Sequence, residues 1–122
     1  MRYMMLVYTR EDAQMSEAEM AAVAHTHEEL MKEASQRGIL HGAEPLASTS
    51  NAFTVRHQDG KVMVTDGPFA ETKEQLAGYY ILDCKTRDEA IEWASKIPTQ
   101  CGGAQGSIEI RPFRFPASES QA

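Results

Sequence analysis

An α+β sandwich, with two helices packed on one face of a sheet, is what this 122-residue sequence predicts. Two capping-box signatures, Ser16 with Glu19 and Thr86 with Glu89, each open an apolar stripe of helical period. Short runs of β-branched and aromatic residues lie before, between and after those helices. Asp59-Gly60 stands between two such runs, which is the local signal of a hairpin.

Residues 2–8 alternate Tyr3, Met5 and Val7 with Met4, Leu6 and Tyr8. Both faces are largely apolar, so this reads as a central strand covered on both sides. From Ser16 a helix is expected to run to about Arg37, with Gly38 as its left-handed stop. Met20, Val23, Leu30, Met31 and Ala34 form its apolar stripe, while Glu28, Glu29, Lys32 and Glu33 fall largely on a solvated face. Residues 39–46 form a short strand or an extended crossing, and 48–51 a polar loop. Residues 53–57 and 61–65 are the hairpin strands. A further strand is expected over 78–84. The second helix carries Ala90, Ile91, Ala94 and Ile97 and ends at Pro98, with Trp93 as a packing residue. A glycine-containing loop (100–106) leads to a last strand over 107–113, where Ile108 and Ile110 alternate with Glu109 and Arg111. One domain is expected over 1–115, followed by a frayed tail, 116–122.

This order is a ferredoxin-like split β-α-β arrangement with an inserted hairpin. Two helices cover only one face of such a sheet, yet the first strand is apolar on both. A second copy of the same sheet is the economical cover, so a homodimer with facing sheets is expected.

The formal charge of −6 argues against a nucleic-acid partner, because phosphate recognition needs a basic face, and it disfavours anionic membrane surfaces. No apolar run reaches the ~20 residues needed to span a bilayer. The two cysteines, Cys84 and Cys101, lack CxxC spacing and read as reduced thiols in a cytoplasmic protein, a bridge between them being the alternative. His25 and His27 lie about 200° apart on a helix, and no spacing of His25, His27, His41 or Cys84 supports zinc. Gly102, Gly103 and Gly106 follow a helix instead of preceding one, so no phosphate loop is present. Neither a metal nor a cofactor is expected.

His27 is the candidate proton carrier. It falls four residues after Val23 and three before Leu30, on the stripe that faces the sheet. Desolvation there lowers its pKa, and a neighbouring carboxylate would oppose that shift. Asp66, held by the Gly67-Pro68 turn at a strand end, is the expected partner. The alternatives are a hydrogen-bonded core histidine and an aspartate that only caps its own turn. Tyr79 and Tyr80 alternate across their strand, one facing the helices and the other the dimer side, and either is a candidate for binding substrate. Phe69 would wall a pocket or plug the turn. His41, just past the helix, would join the site or stand as a strand-edge polar residue.

The run Thr65–Tyr80, "TDGPFAETKEQLAGYY", resembles the signature of the YCII-related, or DGPF-domain, family. "MRYMMLVY" at 1–8 and "IEIRPF" at 108–113 are similar to that family too, so the likeness covers residues 1–113. It implies a ferredoxin-like fold of the dimeric α/β-barrel type in a small bacterial cytoplasmic protein. The wider superfamily includes enzymes that use a histidine–aspartate pair on small, often aromatic compounds, without metal or organic cofactor. The YCII branch carries a histidine on its first helix ahead of a Gly-Pro crossing. "HEELMKEASQRGILHGAEP" puts His27 at the matching distance before Pro45, with Gly42-Ala43-Glu44-Pro45 in place of a direct Gly-Pro.

Two readings of function follow. One is a cofactor-independent enzyme in which His27 and Asp66 move a proton on a small organic substrate. The other is a non-catalytic dimer that binds a small molecule or a protein partner, which the family resemblance links to sigma-factor signalling.

Overall fold

The structure, a computed structural model, describes residues 1–99 and 105–115. Most of the expected loop at 100–106, Cys101 and the expected tail at 116–122 lie outside the described residues. The elements run β1 (Arg2–Thr9), α1 (Glu17–Gln36), β2 (Leu40–Pro45), β3 (Phe53–Gln58), β4 (Lys61–Asp66), β5 (Gln75–Asp83), α2 (Arg87–Lys96) and β6 (Ser107–Pro112). Four strands form one antiparallel sheet in the order β2-β5-β1-β6, and β3 pairs with β4 in a sheet of its own. Strands β1 and β2 both run against β5 between them, which is the split β-α-β topology.

Local chemistry explains where the helices start and stop. Ser16 Oγ accepts from the Glu19 amide, and Glu19 Oε1 accepts from the Ser16 amide, each at 3.1 Å. At the other end Gly38 sits at φ +71°. Its amide donates to Ser35 O and the Ile39 amide to Ala34 O, both at 3.0 Å, which closes a Schellman motif. In α2, Thr86 Oγ1 accepts from the Glu89 amide, but the Glu89 carboxylate reaches back to the Lys85 amide, one residue beyond the expected box.

Strand alternation assigns the faces. Met5 and Val7 of β1, with Tyr80 and Leu82 of β5, point at the helices and are buried against Leu30, Ala34, Ala90, Trp93 and Ala94. Trp93 lies beneath two cations, with Arg37 5.5 Å and Lys96 4.7 Å from the ring centre. The opposite face carries Met4, Leu6, Tyr79 and Ile81, which pair across β1 and β5.

The outcome departs from expectation at three places. Strand β5 starts at Gln75, three residues earlier than its apolar pattern suggests, because it extends beyond the hydrophobic run to pair with Thr9. Its register to β1 slips between Val7 and Tyr8, so Gly78 faces Val7 but Leu76 faces Tyr8, leaving Ala77 as a bulge. Of the helix stripes, Met20 and Ile91 are exposed. The hairpin turn forms as expected, with Asp59 at φ +52° and Gly60 at φ +75°.

Gly78 is fixed by its neighbour strand. A Cβ there would lie 2.8 Å from Glu44 O and 3.2 Å from Pro45 Cα, both backbone atoms that cannot swing aside. Gly78→Ala is expected to lower stability by about 1–3 kcal/mol, the usual scale of overpacking, and to loosen β2 first. Urea unfolding with amide exchange of residues 40–45 reads both effects; an unchanged midpoint with full protection would contradict the assigned contact.

Candidate functional site

A cavity of about 480 Å³ opens between α1 and the β2–β5 side of the sheet, well within the range of small-molecule pockets. Its walls are mostly apolar: Met20, Val23 and Met31 from α1, Val7 from β1, Ala43 and Pro45 from β2. Glu44 and Tyr79 also border it. Register places them opposite each other on the face away from the helices, so they wall the cavity with backbone while their side chains point elsewhere. The polar side chains that face inward are Thr9, His27 and Tyr80.

His27 sits three residues before Leu30 and seven before Ala34, the two buried residues of α1, which turns its ring toward the sheet. Tyr80 has the parity of Gly78 and Leu82 on β5 and so points up at the same helix. The two side chains meet: His27 Nδ1 and the Tyr80 hydroxyl are 2.5 Å apart, with ring centres 5.8 Å apart and planes inclined by 22°. Burial lowers the pKa of His27 from its ordinary value and pushes the Tyr80 phenol up to about 12. Both groups are therefore neutral near pH 7. With Nδ1 engaged, Nε2 is the ring nitrogen left for a ligand.

The other expected site residues lie elsewhere. Asp66 ends β4 in the separate hairpin sheet, exposed to solvent and paired with Phe53. Within the chain it does not line the cavity, and the described hydrogen bond of His27 goes to Tyr80. The Gly67-Pro68 turn serves the hairpin instead: the Gly67 amide donates to Ala52 O at 2.7 Å, and Thr54 Oγ1 donates to Gly67 O at 2.8 Å. Phe69 is 74% exposed, and its carbonyl accepts from Arg56 Nη2 at 2.6 Å. His41 Nε2 lies 3.9 Å from Asp83 Oδ2, away from the cavity. Tyr79 reaches the cavity wall only through its backbone.

Sequence reasoning missed Thr9, Met15 and Pro98 as lining residues. Thr9 shares the parity of Met5 and Val7, so its direction was available in the pattern; the bulge that opens space beside it was not. Cys84, fully buried, has its thiol pushed up to about 11 by burial, with the nearby Glu89 and Asp83 charges adding to the effect, so it remains protonated. Among the described residues no cluster of three or more His, Cys, Asp or Glu is placed to hold a metal ion, and no helix is long and apolar enough to cross a membrane.

With this geometry in place, comparison with known proteins gives two findings. A family model described as "YCII-related domain" matches residues 1–114. An uncharacterised protein of Rhizobium meliloti (strain 1021) is 44% identical over 78 residues, which is 64% of this chain and 62% of that relative. The match thus spans less than two thirds of the relative's length.

The lowered His27 pKa has a consequence for stability. Between the lowered folded value and the ordinary value of about 6.5, the unfolded chain binds the additional proton. Stability is therefore expected to fall as pH drops through that window and to recover above it. Urea midpoints from about pH 7.5 down to about pH 5.5 should decline less steeply in His27→Gln than in the native sequence. Identical slopes would mean that another group titrates there.

Proposed function

The chain belongs to the YCII-related domain family, and we propose that its cavity is a small-molecule site in which His27 takes up and returns a proton. The observation that carries this reading is the His27–Tyr80 contact, a paired imidazole and phenol at one end of a mostly apolar cavity. A half-buried basic group and a buried acidic group, joined to each other and facing an open volume, are the minimum equipment for general acid–base chemistry.

The direction of the His27–Tyr80 bond decides what each group can do. If Tyr80 donates to Nδ1, the neutral imidazole carries its proton on Nε2 and has no free lone pair for substrate. If Nδ1–H donates to the Tyr80 oxygen, Nε2 is a free base and the Tyr80 proton points onward as a donor. The second arrangement supports catalysis. Nε2 accepts a proton from a carbon or oxygen acid of the substrate, and the Tyr80 hydroxyl donates a hydrogen bond to the oxygen where charge develops. Return of the proton from Nε2 to another atom of the substrate completes an isomerisation and restores the neutral imidazole. Tyr80 so takes the neighbouring position in which sequence reasoning expected Asp66. A phenol differs from a carboxylate here: it orients the ring without stabilising an imidazolium, so the base stays weak and suits substrates that are already acidic.

The protein is proposed to act as a homodimer. Met4, Leu6, Tyr79 and Ile81 form an apolar strip on the sheet face that neither helix covers, and a second copy of the same face would bury it. On the exposed hairpin, Phe53, Val55, Val62 and Val64 share one face and are 54–72% exposed, which adds apolar surface for the same association.

Two measurements test these statements. In D₂O, the native protein is expected to accelerate exchange of the methylene hydrogens of phenylacetone, and His27→Gln to lose about 10²-fold or more of that acceleration. Tyr80→Phe should lose a smaller part. A probe that binds in the cavity without exchanging faster than in buffer would leave a binding protein without proton transfer. Separately, sedimentation at micromolar protein should give twice the chain mass for the native sequence and the chain mass for Leu6→Lys. A native monomer would remove the dimer.

A further inference from the structure

We infer that the cavity under α1 selects an uncharged molecule, largely apolar and carrying one hydroxyl or carbonyl group, and rejects anions and cations of the same shape. This rests on the reading of the cavity as a small-molecule site and adds the class of ligand.

The first observation is the charge inventory of the walls. Of the residues that line the cavity, the one carboxylate is Glu44, and strand parity turns its side chain to the far face of the sheet. No lysine or arginine lines it among the described residues, and residues 100–104 and 116–122 contain neither in the sequence. An ion entering such a space loses its hydration with no counter-charge in the wall to balance the loss.

The second observation concerns the place where an anion would otherwise settle. Met15 and Met20 put the start of α1 at the cavity, and a helix start offers free amides and a positive dipole end. Here two of those amides are taken and the turn is negatively charged. Ser16 Oγ takes the Glu19 amide, Glu19 takes the Ser16 amide, and Glu17 and Glu19 set negative charge over the first turn. The carboxylates of Glu17 and Glu19 oppose an anion at that helix start. The overall excess of acidic residues, 18 against 12, opposes anions at longer range as well.

The third observation is the polar end. His27 and Tyr80 occupy one point of the wall, so a ligand finds a joined donor–acceptor pair there, while the rest of its surface meets mainly methyl and methylene groups, with the Thr9 hydroxyl as the other inward polar group. One polar group on an apolar body matches that pattern.

A set of four probes of nearly one shape separates the possibilities: 4-propylphenol, 3-(4-hydroxyphenyl)propanoate, tyramine and propylbenzene. Near pH 7 they are neutral, anionic, cationic and neutral without a hydroxyl. Calorimetric titration of the full chain is expected to rank 4-propylphenol at least tenfold tighter than each of the other three. Ala24, at an exposed helix position on the cavity wall, supplies the controls. Ala24→Phe should abolish binding by filling the space, and Ala24→Arg should tighten the propanoate by giving it a counter-charge. If the propanoate or tyramine binds as well as 4-propylphenol and Ala24→Phe removes that binding, the ligand class assigned here is wrong while the site stands. If propylbenzene equals 4-propylphenol, the single polar anchor is wrong. If Ala24→Phe leaves binding of every probe unchanged, or no probe binds, the site itself falls and this inference with it.

Discussion

Where α1 crosses β5, an imidazole and a phenol meet with apolar side chains around them, His27 Nδ1 against the Tyr80 hydroxyl at 2.5 Å. Each group would be costly to bury alone, since an unsatisfied polar atom in such surroundings costs about 1–3 kcal/mol. Each also satisfies the other without introducing charge. That neutral pairing constrains the rest of the site. It lets α1 lie close on the sheet and leaves the second imidazole nitrogen with no partner within the pair. A carboxylate in the same position would have favoured the imidazolium and drawn water or counter-ions inward.

The hairpin shows a different constraint. A two-stranded ribbon alone is marginally stable in water. The bonds that hold this one gather at its base, where the Gly67 amide, the Gly67 carbonyl and the Phe69 carbonyl are tied to Ala52, Thr54 and Arg56. The Asp-Gly-Pro-Phe run is thus a closure for the ribbon within the chain, and Gly67 at φ +104° is the residue that permits the turn. The exposed apolar side chains farther along the ribbon ask for cover that neither helix provides.

Much of the fold was legible because its signals are local. Capping chemistry at Ser16 and Thr86, the left-handed stop at Gly38 and the Asp59-Gly60 turn each depend on residues within a few positions of one another, and periodicity alone turned His27 toward the sheet. The site was half legible. Parity showed that Tyr79 and Tyr80 part company, but not which one faces α1; that depends on the register of β5 against β1, where Tyr80 stands opposite Met5. Asp66 lies off the cavity within the chain for the complementary reason. Its turn is locally well defined, but where a separate two-stranded sheet lies relative to α1 is a tertiary matter that no local pattern encodes. The Ala77 bulge, which shifts the register beside the cavity, leaves no mark in the sequence at all.

Strand β5 joins the two surfaces that matter. Tyr80 and Leu82 look toward the helices and the cavity, while Tyr79 and Ile81 look toward the face proposed to meet a second copy. A strand cannot rotate one side chain inward without rotating its neighbour outward, so a shift of β5 at either surface is felt at the other. Gly78, pressed against the backbone of Glu44 and Pro45, holds that strand close to β2 just before the two tyrosines. The bulge at Ala77 then ends the regular register. Together they set where the Tyr80 hydroxyl meets His27 Nδ1 at the end of the cavity.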